Sequence, residues 1–226
     1  SVVEDIKDND IVVMEISDHQ LCDMYEFTSN ISVMTNLSEV HLDFHDGYDD
    51  YKSKKKRIFN NHDSNSIAIL NGANEDVLDL TKDIPDKKIY FSSKKKCDAY
   101  LEDGVIYYNN EKIISTDEIK IKGNHNYENI MCAIMIAKEL GISNDIIVNT
   151  VKEFSGVEHR IEFVRTLNGK DFYNDSKATN ITSTQIALNA FKRPVVLLLG
   201  GLDRSQSFLE LKDYIRKYIE ENYTFS

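Results

Sequence analysis

An α/β fold built on a mainly parallel sheet is predicted for this chain of 226 residues. Two observations predict it. The first half alternates short apolar runs rich in β-branched residues with polar, helix-prone stretches, the order in which crossover helices join parallel strands. The runs themselves, at 11–16 (IVVMEI), 31–35 (ISVMT) and 66–70 (SIAIL), are almost continuously apolar, as strands buried on both faces are.

The remaining elements follow in order. Between the second and third runs, residues 48–60 carry a helical apolar stripe of Tyr48, Tyr51, Ile58 and Phe59. Residues 88–92 (KIYFS) read as the next strand. In 99–115, Asn109-Asn110 separates 105–108 from 112–114 and predicts a hairpin. A long apolar helix spans 127–140, with Gly141 as its C-terminal cap, and a second helix covers 144–154. The chain then changes character at Ser155-Gly156. Asn168-Gly169 separates 160–167 from 171–174 as a second hairpin. A helix at 182–191, a buried strand at 195–199 and a last helix at 208–221 are expected after it. These features place a domain boundary near Gly156, giving domains 1–156 and 157–226.

Composition excludes several classes of function. Lys and Arg number 27 against 38 Asp and Glu, a net charge of −11, so bulk binding to nucleic acid or an anionic membrane is not expected. No apolar run approaches the ~20 residues of a membrane span, and no signal peptide opens the chain. Cys22, Cys97 and Cys132 are widely spaced and lack CxxC spacing, which points to reduced thiols and a cytoplasmic setting. No GxxxxGK[ST] loop occurs. The chain opens on Ser1 and stops after a helix, and it reads as a piece of a longer protein, inactive by itself.

Several residues could carry chemistry. Glu15 closes the first apolar run, where the C-terminal strand ends of a parallel sheet form a binding crevice. It reads equally as a carboxylate emerging into solvent. His41 and His45 are spaced i, i+4 but precede the helix, so they read as bystanders as readily as metal ligands. If the first two runs are neighbouring strands, Glu15 and His41 face one site. Lys55 falls in the middle of the apolar stripe of its helix, whereas Lys52, Lys56 and Arg57 fall to the flanks or back and stay solvated. A lysine on a buried face loses hydration, which favours a neutral, nucleophilic amine. The alternative is a snorkelling stem. Asn124 and Asn126 start a helix and read either as caps or as contacts to a base or phosphate. Residues 174–180 (NDSKATN) join a strand to a helix and could bind a sugar, a carboxylate or phosphate, although Thr179 or Asn180 could be an N-cap only. Gly200-Gly201 after a strand permits close backbone approach to a ligand.

Taken in order, MEISDHQL, TNLSEVHLDFH, YKSKKKRIF, KGNHNYENI, SGVEHRIEFV, NDSKATNITST and LLLGGLDR resemble the Mur ligases, and within them the branch that adds D-glutamate. The match runs from Met14 to Arg204, and NDSKATN after GVEHR is its most specific part. The resemblance implies that residues 1–156 are most of a P-loop-type ATP-binding central domain without its P-loop. Residues 157–226 would begin a Rossmann-like C-terminal domain. It implies an ATP-dependent, amide-forming ligase of peptidoglycan precursor synthesis, acting on UDP-N-acetylmuramoyl-L-alanine and D-glutamate through an acyl phosphate, as a cytoplasmic monomer. By the same resemblance Glu15 would hold one Mg²⁺, while His41 and a carbamylated Lys55 would hold a second. Asn126, Arg160 and Asp175 would contact ATP at base, phosphate and ribose. Lys177 and Thr179 would meet the acyl phosphate and the incoming amino acid, Arg204 the glutamate carboxylate, and His159 pairs with Arg160 in the family's HR motif. Two departures stand out. Asp18-His19 replaces a small polar residue and an aromatic, and Ser205 stands where a glycine is expected; neither is expected to touch a proposed ligand. The alternatives are a sister ligase or folylpolyglutamate synthase, which NDSKATN argues against, a non-catalytic nucleotide- or precursor-binding protein that kept the fold, and, more remotely, a metallohydrolase.

Overall fold

A computed structural model describes residues 2–39, 45–191, 193–201, 209, 211–212 and 214–216. The chain divides into two compact units, one of Ser1–Ser115 with Tyr127–Ile147 and one of Thr116–Asn126 with Val148–Ser226.

The first unit is built on a six-stranded sheet in sequential order. Its strands are β1 (Ile31–Met34), β2 (Ile67–Asn71), β3 (Lys87–Ser92), β4 (Ala99–Glu102), β5 (Val105–Tyr108) and β6 (Glu111–Ser115). Pairs β1–β2, β2–β3 and β3–β4 are parallel, and β4–β5–β6 continue antiparallel. The crossovers that parallel pairing demands are helical: α2 (Tyr48–Lys56) leads from β1 to β2, and α3 (Glu75–Leu80) from β2 to β3. Asn74 caps α3, its side chain accepting from the Val77 amide. Ahead of β1 lies the short α1 (Asp18–Asp23), held by a reciprocal capping box between Ser17 and Gln20.

The strands are apolar because both faces are covered. Ala68 and Leu70 of β2 join Met34, Tyr51, Phe59, Val77 and Ile84 in one buried cluster, with Tyr48 and Ile58 packed against it. The stripe read on the helix at 48–60 is therefore its inward face; that stretch forms α2 followed by a 3-10 turn at Arg57–Phe59. The intervening Ile69 is fully buried and, by strand alternation, points to the opposite face. The long helix α4 (Asn124–Glu139) buries Ile130, Met131, Ile134 and Met135, and Gly141 follows at φ +75°.

Tight turns follow local chemistry. Asn109-Asn110 joins β5 to β6 with φ of +50° and +64°, the left-handed pair that matches strand twist in a two-residue hairpin. Asp103-Gly104, at +48° and +72°, joins β4 to β5 in the same way and makes residues 99–115 a three-stranded meander rather than one hairpin. In the second unit, Asn168-Gly169 at +52° and +73° connects β7 (Glu162–Leu167) to β8 (Lys170–Asn174). Helix α5 (Asn144–Glu153) forms over the expected range, and α6 (Ile181–Asn189) starts at Asn180, whose side chain accepts from the Ser183 amide.

Two expected strands are not formed. Residues 11–16 are irregular, with Ile11, Val12, Val13 and Met14 exposed, Val13 at 84%. Among the described residues their expected neighbour β1 pairs only with β2, and no ladder takes up the run's backbone groups. Residues 195–199 are also irregular, Val196 and Leu198 each being 90% exposed. The β7–β8 hairpin is the only sheet among the described residues of that unit, and 195–199 does not join it. The helix expected at 208–221 lies largely outside the described residues.

Candidate active site

In the first unit, Glu15, Ile16, Ser17, Asp18, Gln20, Tyr51 and Lys55 line a pocket of about 440 Å³. Residues 15–17 line it just ahead of α1, Asp18 and Gln20 from α1 itself, and Tyr51 and Lys55, one turn apart on α2, complete the lining. Glu15 and Lys55 thus share one pocket. Arg57, in the turn that follows α2, ties this region to α1 by donating from Nη1 to the Cys22 carbonyl at 2.6 Å, at the C-terminal end of α1. The solvated arginine expected from the helical wheel is instead an anchor, because the chain folds α1 back over this end of α2.

Lys55 is not set apart by burial. Its side chain is about as covered as that of Lys52, which is taken up by Asp49 and lies over the Tyr48 ring. What distinguishes Lys55 is its partner: Nζ lies 3.7 Å from Asp18 Oδ1 and over the Tyr51 ring at 5.8 Å. In place of an apolar surrounding that leaves the amine without a counter-charge, the fold supplies a carboxylate. Asp18, expected to stand clear of the proposed ligands, is therefore in direct ionic contact with one of them.

Asp18 organises this region. His45 Nε2 donates to its Oδ2 at 2.6 Å, and His19 Nδ1 lies 3.2 Å from the same oxygen. Burial opposes the charge on Asp18, but the His45 hydrogen bond, the helix-start amide and the Lys55 and His19 charges outweigh it and hold the carboxyl below its usual range. His45, one of the histidines read as possible bystanders, has only 4% of its side chain exposed and turns its other nitrogen to Asp50 Oδ2 at 3.4 Å. His41, Arg204 and Ser205 lie outside the described residues.

The second unit gathers a different set. Residues 157–161 and 174–180 are tied by three bonds: the Ile161 amide donates to Asp175 Oδ1 at 3.0 Å, the Lys177 amide to the His159 carbonyl at 3.0 Å, and Asn174 Nδ2 to His159 Nδ1 at 2.8 Å. Burial raises the Asp175 carboxyl, opposed by the Ile161 amide and the Arg160 charge. The side chains of Arg160, Lys177 and Thr179 remain exposed. Asn180, not Thr179, is the N-cap of α6. Asn126 sits in the first turn of α4 and donates from Nδ2 to the Lys122 carbonyl at 2.9 Å, so it ties the helix start to the preceding loop.

Other nucleophiles recede. The three cysteines are free thiols, and burial pushes Cys132 up to about 12 and Cys97 up to about 11, which keeps both protonated and unreactive. Among the described residues no helix is long and apolar enough to cross a membrane.

The pocket and loops can be set beside known proteins. Residues 2–137 match the family model of the Mur ligase middle domain. The chain is 42% identical over 217 residues to the UDP-N-acetylmuramoylalanine–D-glutamate ligase of Bacillus cereus, a match that takes in 95% of this chain and 48% of the relative. The ligase of the same name from Bacillus thuringiensis matches at the same identity and coverage. The chain spans about half the length of these curated relatives. Among solved structures, MurF of Acinetobacter baumannii aligns with a TM-score of 0.61 at 18% identity, over 71% of this chain and 37% of that one. The UDP-N-acetylmuramate-alanine ligase MurC of Thermotoga maritima aligns with a TM-score of 0.56 at 20% identity, over 73% and 38%. At such identities the structures speak for the shared fold, whereas the family model takes in the whole six-stranded sheet and the segment that carries Glu15 and Lys55. On these grounds the chain belongs to the Mur ligase family.

Proposed function

We propose that the protein containing this chain is an ATP-dependent ligase that joins D-glutamate to UDP-N-acetylmuramoyl-L-alanine through an acyl phosphate, in peptidoglycan precursor synthesis. The observation that carries this choice of substrate is the 42% identity, over 95% of the chain, to relatives named for that reaction. The remaining support is chemical. A triphosphate and a carboxylate repel each other, so a site that joins them needs cations fixed between them. The pocket has a carboxylate to hold one, since Glu15 offers the oxygen donors that Mg²⁺ prefers.

In this reading Glu15 holds one Mg²⁺, and His41 and a carbamylated Lys55 hold a second. Bound there, Mg²⁺ supplies charge neutralisation at the phosphates. Carbamylation joins the neutral Lys55 amine to CO₂ with loss of a proton, so that, counted from the ammonium, two protons leave and a cation becomes an anion. That anion would stand beside Asp18, at present 3.7 Å from Nζ, and a divalent cation is what two neighbouring carboxylates require. Asn126, Arg160 and Asp175 contact the nucleotide. Lys177 and Thr179 meet the acyl phosphate and the amine, with His159 holding their loop through its carbonyl and ring nitrogen. Arg204 takes the glutamate carboxylate. Residues 1–156 belong to the ATP-binding domain and 157–226 to the C-terminal domain of a cytoplasmic monomer.

The test is phosphate release by the whole protein with ATP, UDP-N-acetylmuramoyl-L-alanine and a panel of amino acids. Turnover with D-glutamate alone is expected. A preference for L-lysine or meso-diaminopimelate would move the protein to a sister ligase. Nucleotide binding without turnover would make it a binding protein.

A further inference from the structure

Asp18, His19 and His45 each offer one ligand atom, and these three atoms lie within 4.8 Å of one another. Asp18 Oδ2 is 2.6 Å from His45 Nε2 and 3.2 Å from His19 Nδ1. Donors bound at about 2.0–2.1 Å to a tetrahedral ion stand roughly 3.3 Å apart, so small side-chain rotations suffice to admit one. Two ligands are preset by burial: the side chains of His45 and Asp18 are 4% and 13% exposed, while His19, at 59%, forms the open wall.

A second observation points the same way. The far nitrogen of His45, Nδ1, faces Asp50 Oδ2 at 3.4 Å. A carboxylate behind an imidazole fixes its tautomer and aims the other nitrogen at a metal, the usual arrangement behind a ligating histidine. The donors also separate this cluster from a magnesium site. Magnesium takes oxygen ligands, whereas two imidazoles and one carboxylate suit zinc and its first-row neighbours.

We propose that Asp18, His19 and His45 form a transition-metal site, with Zn²⁺ as the matching ion, beside the pocket that holds Lys55. Asp18 serves both neighbours through different oxygens, Oδ2 toward the histidines and Oδ1 toward Lys55. The metal takes the place of the hydrogen between Asp18 and His45, and one coordination position on the His19 side stays open to water. Asp50 is a positioning residue that acts through His45.

The test is titration of the full chain with Co²⁺ followed by Zn²⁺ in excess Mg²⁺, which keeps an oxygen-donor site occupied. The expected result is uptake of one Co²⁺ with the visible absorption bands of a low-symmetry nitrogen–oxygen centre, abolished by Zn²⁺. Asp18→Ser, His19→Phe and His45→Ala should each weaken Zn²⁺ binding by more than the roughly 10–100-fold that loss of an outer partner costs, and Asp50→Asn by about that amount. Glu15→Gln should leave it unchanged, which separates this site from the proposed magnesium site. His19 is exposed, so His19→Phe decides the matter if His45→Ala does not fold. Absence of the Co²⁺ bands, or Zn²⁺ affinity indifferent to His19→Phe and Asp18→Ser, overturns the proposal and leaves the cluster an ion-pair network.

Discussion

His62→Leu should be among the most damaging single substitutions in the sheet-bearing unit. The side chains of His62 and Asp86 are both fully buried, with Nδ1 donating to Oδ1 at 2.5 Å. The other ring nitrogen lies 3.2 Å from Ser29 Oγ and 3.4 Å from Ser32 Oγ, so the imidazole links the start of β1 to the residue just ahead of β3. Asp86 Oδ2 has no hydrogen-bond partner among the described residues. Deleting the ring therefore removes the one side-chain bond this carboxyl makes among the described residues and leaves it buried. Breaking a buried pair from one side costs about 3–5 kcal/mol. Against a total stability of about 5–15 kcal/mol, that is a large share. With a urea m-value of about 2 kcal/mol per molar, the unfolding midpoint should fall by about 1.5–2.5 M. The double substitution His62→Leu with Asp86→Leu replaces both polar partners by apolar groups and should recover most of the loss. A single substitution costing less than about 1 kcal/mol, or a double no more stable than the single, would refute the argument that an orphaned carboxyl sets the magnitude.

Lys55→Ala should nearly abolish ligase turnover in the whole protein, with partial return on addition of acetate or formate; turnover at the level of the unsubstituted protein would remove the carbamate reading. Asn180→Ala takes away the acceptor for the Ser183 amide and should cost about 1 kcal/mol, visible as a lower melting temperature. Asp175→Asn tests a pH dependence. Burial raises the folded carboxyl above its ordinary 3.8, so the folded state holds the proton more tightly than the unfolded one. Stability is then greater at low pH and falls as pH rises through the window above 3.8. Asp175→Asn should remove that fall, measured as urea midpoints across acidic buffers; an unchanged slope would count against a buried Asp175.

What could be read along the chain was local. Asn109-Asn110 and Asn168-Gly169 announce hairpins because left-handed φ at paired turn positions is a property of those residues themselves. Asp103-Gly104 carried the same signal, and with it residues 99–115 become three strands. The stripe at 48–59 and the long helix at 124–139 were legible because a helix closes its own hydrogen bonds and leaves one face to bury. A strand cannot do this. Residues 11–16 and 195–199 have strand composition yet form none, since a strand exists only where a neighbour takes up its backbone groups.

The site divides along the same line. The residue types of Glu15, Lys55, Asp175 and Lys177 and their motifs are written in the chain. Which partner each one meets is not. Asp18 and His45 are 27 residues apart, and no periodicity relates them. His19 is its chain neighbour, but only tertiary packing brings that carboxylate to Lys55 of α2 on one side and to the His45 imidazole, ahead of α2, on the other. Charge acts through space, so the electrostatics of this pocket were decided by tertiary structure.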